Sequence, residues 1–156
     1  MGAADSHLPS SFFIHANALA LGEAGVLIRG PSGSGKSALT DALLYEARRL
    51  NLFGRLVGDD RIQLEARGGR LIASGHREVA GLIERRGQGI VSQDYEKAVV
   101  LSLVVDLVEN PHDFPRFPSE EERFVALEGV VLPRLPLLAA SHLSASAARV
   151  LEFLGY

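Results

Sequence analysis

Eight consecutive residues, Gly30-Pro31-Ser32-Gly33-Ser34-Gly35-Lys36-Ser37, complete the pattern G-x-x-x-x-G-K-[ST], and no other stretch constrains the chain as much. The strand-forming run Val26-Leu27-Ile28-Arg29 precedes them, and the helix-competent run from Ser37 to Leu44 follows. Those flanks predict a strand–loop–helix unit. A polyphosphate needs many close donors, and residues without bulky side chains let backbone N–H groups converge on it. The start of the following helix adds its positive dipole end. Lys36 is placed to meet the outer phosphates of ATP, and the Ser37 hydroxyl to ligate Mg²⁺. The whole run from Gly30 to Ser37 is therefore a candidate nucleotide site. The competing reading is a glycine-rich turn with no ligand.

A chain of 156 residues, 47% of them hydrophobic, is long enough for one domain with a core. Residues 1–10 read as a polar lead-in, and 11–156 as a single domain. The formal charge of −3 argues against nucleic acid or an anionic membrane surface as partner. The absence of cysteine excludes disulfides and thiolate chemistry. No apolar run suits a transmembrane helix, and the first residues do not resemble a secretory signal. Gly2 with Ser6 fits a myristoylation pattern only formally. A cytoplasmic location is expected.

Phe12–His15 and Ala18–Leu21 read as short strands around Asn17. A helix is predicted from about Lys36 to Leu50, burying Leu39, Leu43, Leu44 and Ala47. Arg55–Gly58 is a strand ending at Asp59-Asp60, and Gly68-Gly69 turns a hairpin. Residues 79–83 are ambiguous. Val99–Val108 predicts a strand buried on both faces. Residues 109–122 read as a mobile loop, and Pro133 and Pro136 as breaks between strand fragments. Ser144 or Ser146 is expected to cap a final helix. The fold class is α/β, with a mixed, strand-rich sheet and few helices.

Two acidic sites compete as partners of the loop. Asp106 ends an apolar run, as a lone metal-holding Asp does beside many phosphate loops. Asp59-Asp60 offers a division of labour, one carboxylate holding metal while the other takes a proton from an attacking hydroxyl. It is otherwise an ordinary strand-end turn.

His15, the loop, Val57-Gly58-Asp59-Asp60-Arg61 and Leu82-Ile83-Glu84-Arg85-Arg86-Gly87-Gln88-Gly89-Ile90 follow one another in a family's order. Together they resemble the catalytic domain of HPr kinase/phosphorylase from about Phe13 to Leu138. The resemblance implies a P-loop kinase domain related to phosphoenolpyruvate carboxykinase. It implies ATP and Mg²⁺ as cofactors, and as substrate a serine of an HPr-like phosphocarrier protein, with reversal by phosphorolysis. It gives Asp59 the role of general base, or general acid in reverse. Ser37, Asp60 and Glu84 would lie near the metal, and His15 near the phosphates. Arg116 stands where the family carries a mobile catalytic Arg, and Arg86 would support the signature loop. A homo-oligomer is expected.

Three departures accompany the resemblance. The family's usual N-terminal domain is missing, Leu50–Gly54 looks inserted, and the surroundings of Arg116 align poorly. A nucleotide-binding regulatory module, with Asp106 holding the metal, and a small-molecule kinase stand as alternatives. His15 reads equally as a core histidine, Glu84 as a surface charge and Arg116 as a plain loop residue. Residues 109–122 and the last helix, with Leu151, Phe153 and Leu154, are read as a docking surface for a folded protein, or else as a cap on the core.

Overall fold

The computed structural model describes residues 13–156, so the polar lead-in and Phe12 lie outside it. In chain order the elements are β1 (Phe13–Ile14), β2 (Ala16–Leu21), β3 (Ala24–Arg29), α1 (Lys36–Arg49), β4 (Gly54–Gly58), β5 (Ile62–Arg67) and β6 (Arg70–Gly75). There follow β7 (Leu82–Arg85), β8 (Gly89–Ser92), β9 (Ala98–Val108), β10 (Phe124–Leu127), β11 (Val130–Leu138) and α2 (Leu143–Leu154). Nine strands form one sheet in the order β1-β5-β6-β9-β3-β2-β4, with β11 joined to β9 and β10 to β11. Strand β9 runs parallel to β3 and β11, while the other pairs in this sheet are antiparallel. The sheet is mixed, as the element pattern predicts. The β7–β8 hairpin stands apart from it.

Alternate residues of the central strands enter two cores. Leu19, Leu21, Val26, Ile28, Leu103 and Val105 meet Leu39, Leu43 and Ala47 of α1 and Ala147, Val150 and Leu151 of α2. Ala16, Ala18, Leu27 and Val104 meet Leu64, Leu71 and Ala73 on the other side. Burial on both faces explains why β3 reads as an unbroken apolar run. Among the described residues no helix is long and apolar enough to cross a membrane.

Some sequence expectations change. Asn17 is no break but a fully buried member of β2, satisfied by side-chain bonds. Pro133 and Pro136 lie within one continuous strand. The first half of β11 pairs with β10 and the second with β9, so each proline can turn its missing N–H to an unpaired edge. Strand β9 is buried on both faces only in its second half, with Val100 and Ser102 exposed. The ambiguous stretch around 79–83 is a one-turn helix at Arg77–Val79 leading into β7. His142 rather than a serine stands at the start of α2, without a side-chain cap, and Ser146 is buried. The segment after α1 is a helix stop: Asn51 adopts φ 54°, and the Leu52 N–H returns to the Ala47 carbonyl.

Candidate active site

Strand β3 delivers the chain at Arg29, six residues cross the gap, and α1 begins at Lys36. Gly33 and Gly35 have φ of 79° and 100°, a region that L side chains rarely adopt. Gly35 takes the N-cap position of α1 without a side-chain cap, which leaves first-turn amides free for an anion. A Cβ on Gly30 would stand 2.5 Å from Ser34 Oγ. That hydroxyl is buried with no hydrogen-bond partner among the described residues. An orphaned hydroxyl inside a phosphate-type loop fits a phosphate oxygen as partner. Lys36 is buried, and its ammonium donates to the carbonyls of Gly30 at 3.0 Å and Pro31 at 3.3 Å. It is held across the loop rather than free in solvent.

Strand β4 ends in the acid pair and aims it at the start of α1. Ser37 Oγ donates to Asp59 Oδ1 at 2.6 Å, and Asn17 Nδ2 donates to the same oxygen at 2.7 Å. The backbone N–H of Glu84 donates to Asp59 Oδ2 at 3.1 Å. Asp60 is exposed, with φ 66°, and its carboxylate lies 2.9 Å from His15 Nε2. His15 is itself 53% exposed, which removes the core-histidine reading. Its polar partner in the structure is Asp60. Glu84 is exposed on β7, joined to the pair through its backbone.

Asp106 is occupied elsewhere. Arg29 Nε and Nη2 donate to its two oxygens at 2.7 and 2.8 Å, and Arg134 Nε at 2.5 Å. Burial pushes its pKa up, but the hydrogen bonds and charges of Arg29 and Arg134 outweigh that and hold it below the usual value. A carboxylate neutralised by two guanidiniums is a structural tie across β3, β9 and β11, not a metal holder. Arg116 is exposed; its guanidinium lies 5.8 Å from the Phe117 ring and forms no hydrogen bond to the loop or the acid pair. Arg86 is exposed too. The signature hairpin is pinned instead by Arg85, which bonds Asp41 of α1.

The donor set suits a hard cation. With its proton turned to Asp59, Ser37 Oγ keeps lone pairs available, and Asp60 and Glu84 are exposed, while the described residues gather no group of three or more His, Asp or Glu side chains as a metal site. Mg²⁺ is commonly held by one or two carboxylates with phosphates and water completing the set, so a dense cluster of protein ligands is not required. Cavity volume does not mark this chemistry. A cavity of about 880 Å³ bordered by Phe13, Gln63, His76, Tyr95 and Lys97 includes no residue of the loop or the acid pair.

Asn17, Thr40, Asp41 and Arg85 make the side-chain bonds that join the acid pair, α1 and the hairpin, and sequence reasoning gave none of them a role. The available signal was a single amide inside the apolar run Ala16-Asn17-Ala18-Leu19-Ala20-Leu21. A buried amide needs partners, and here they are the site.

Fold and site together define an α/β domain with a mixed, strand-rich sheet and a phosphate-type loop between β3 and α1. The family model of the HPr serine kinase C-terminal domain matches residues 6–140, and the chain belongs to that family. It is 38% identical over 102 residues to the HPr kinase/phosphorylase of Mycoplasma mycoides subsp. mycoides SC, a match covering 61% of this chain and 31% of that protein. With the HPr kinase/phosphorylase of Clostridium tetani it shares 36% identity over 83 residues, covering 53% of this chain and 25% of the relative. The matched part is thus less than a third of either relative. The solved HPr(Ser) kinase/phosphatase of Coxiella burnetii superimposes with a TM-score of 0.69 at 24% identity. That likeness covers 92% of this chain and 99% of that one, and supports the fold.

Proposed function

We propose that this chain is an ATP- and Mg²⁺-dependent phosphotransferase that phosphorylates a serine of an HPr-like carrier protein and reverses the transfer by phosphorolysis. The observation that carries this reading is the Asp59 carboxylate at 2.6 Å from Ser37 Oγ, while Asp106 is consumed by two arginines. The regulatory-module alternative drew its support from Asp106 as metal holder, and loses it.

The loop amides, the Ser34 hydroxyl and Lys36 bind the phosphates. Ser37, Asp60 and Glu84 would hold Mg²⁺, which would supply charge neutralisation at the phosphates. Asp59 spends three of its roughly four lone-pair positions on Ser37, Asn17 and the Glu84 N–H, leaving one for a substrate hydroxyl. The serine oxygen attacks the γ-phosphorus, its proton passes to Asp59, and the bond to ADP breaks. In the reverse direction Asp59 returns the proton to the serine oxygen as phosphate attacks. His15 orients Asp60 through their 2.9 Å contact. Arg116 is proposed to join the phosphates only once the 109–122 loop has moved.

Incubation with γ-labelled ATP, Mg²⁺ and an HPr-like carrier tests this reading. Label is expected on the carrier's serine and released again by inorganic phosphate. Label on a small alcohol instead, or ATP binding with no transfer at all, would overturn it.

A further inference from the structure

Resting on that reading of the acid pair, we propose that Asn17 is the positioning residue that locks the Asp59-Asp60 turn to the first turn of α1. Asn17 is 0% exposed, and both ends of its amide are used. Nδ2 has two hydrogens, which go to Asp59 Oδ1 at 2.7 Å and Thr40 Oγ1 at 3.0 Å, with Ser37 Oγ at the margin at 3.4 Å. Oδ1 accepts the Asp60 N–H at 2.9 Å. The amide orientation follows from these partners: the backbone N–H requires the oxygen, and the carboxylate requires the NH₂. Thr40 is anchored in turn to the Lys36 carbonyl at 2.8 Å. One side chain of β2 thus joins the end of β4 to the helix that carries Lys36 and Ser37.

The backbone around it is arranged for this. The β2–β4 register shifts between Ala18 and Leu19, opposite Gly58 and Leu56, one residue along from Asn17. Such an irregularity re-aims the strand end that follows it, here the acid pair. Asp60 then takes φ 66°, a conformation uncommon for a non-glycine residue, and its N–H is the group that Asn17 holds. Neighbours Ala16 and Ala18 are apolar and fully buried, so packing alone has no need of an amide at position 17. Removing it frees Asp59 to rotate off Ser37 and lets the Asp60 turn relax.

The test is a pair of double-variant cycles built on Asn17→Leu, which keeps the branched outline of the side chain and removes both of its polar ends. Affinity for ATP without Mg²⁺ is expected to stay within about twofold, the scatter of uncoupled sites. The gain in ATP affinity on adding Mg²⁺, read by calorimetry, is expected to disappear, with no further loss when Asp60→Asn is added. The turnover number is expected to fall about 10²-fold, the usual cost of a misplaced reacting group, and to change little when Asn17→Leu is made on Asp59→Asn. Losses that multiply in full in both double variants would show a merely structural role and overturn the proposal, as would an Asn17→Leu protein with the wild-type Mg²⁺ response and turnover. If the leucine variant does not fold, Asn17→Val carries the same cycles, because a smaller apolar side chain also removes both the donor to Asp59 and the acceptor of the Asp60 N–H. A wild-type protein that binds Mg²⁺–ATP but transfers nothing would defeat the proposed function, while the affinity cycle would still decide the role of Asn17.

Discussion

Arg85 closes on Asp41 with two nitrogens, Nη2 at 2.7 Å and Nε at 3.1 Å from the same carboxylate oxygen. That contact ties the β7–β8 hairpin to α1 one helical turn beyond Ser37, and the Glu84 N–H ties it again to Asp59. Both partners are about one-third exposed, so the pair stabilises the fold by no more than about 1 kcal/mol. Its consequence is placement. Arg85→Ala is expected to leave melting temperature and ATP affinity nearly unchanged and to lower turnover about tenfold, within the range expected for a misplaced group. Asp41→Ala should match it, with the double variant no worse than either. Steady-state kinetics of the three proteins check this; a pure stability loss with normal turnover would contradict it.

Lys36→Ala should weaken ATP binding and abolish transfer. The ammonium already lies across the loop, bonded to Gly30 and Pro31, where a triphosphate would meet it. Calorimetric titration checks the affinity, and unchanged binding with unchanged turnover would remove Lys36 from the site.

Asp59→Asn should retain Mg²⁺–ATP binding and lose transfer in both directions, by about 10²–10⁴-fold for a positioned base. Loss of Mg²⁺–ATP binding with turnover preserved at saturation would make Asp59 a metal ligand instead. The 2.6 Å bond to Ser37 is why both outcomes have to be measured.

Asp106→Asn should destabilise by about 2 kcal/mol, between exposed and fully buried pairs, because Arg29 and Arg134 lose their shared counter-charge. The sign with pH follows from the lowered pKa. Its contribution is complete above the ordinary carboxylate value of 3.8 and is lost as pH falls below that towards the folded-state value. The stability gap between the two proteins in denaturant melts should therefore narrow once pH falls below 3.8 on the way from pH 7 to pH 3. A constant gap would show that the carboxylate is not ionised in the fold.

Truncation after His142 should abolish cooperative unfolding rather than affect docking alone. Ala147, Val150 and Leu151 are buried against α1 and the sheet, so removing α2 opens the larger core. Of the two readings of α2 this burial fits the cap on the core: Leu151 is buried, and outer residues such as Phe153 at 49% exposure remain available to a partner. Circular dichroism melts of the truncated chain check it, and a sharp transition near that of the whole chain would contradict it.

The loop from Gly30 to Ser37 was legible because its chemistry is local: glycines, a lysine and a hydroxyl, consecutive between a strand and a helix. The acid pair was legible as a strand-end feature, and the family resemblance pointed to it, but the two runs by themselves did not separate it from Asp106, since both end apolar runs. Cross-strand register decided between them, setting Arg29 opposite Asp106 and bringing Arg134 from β11. Asn17 stood out as an amide in an apolar run, but what it bonds was unreadable for the same reason. Its partners are 23, 42 and 43 residues away, and a sequence shows only a polar interruption until folding brings them within 3 Å.

The prolines of β11 make the converse case. Local stereochemistry argued for a break at Pro133 and Pro136, and the strand runs through both because each half is paired along one edge only. By itself, then, the sequence determined the phosphate-type loop, the periodicity that buries α1 and the alternation of the strands, because backbone conformation and hydrophobic burial act over a few residues. The tertiary structure alone decided which carboxylate faces Ser37, which arginine holds the hairpin and what satisfies Asn17. Those are pairings of charge and hydrogen bond between distant segments, and they exist only once the packed strands bring the groups within bonding distance.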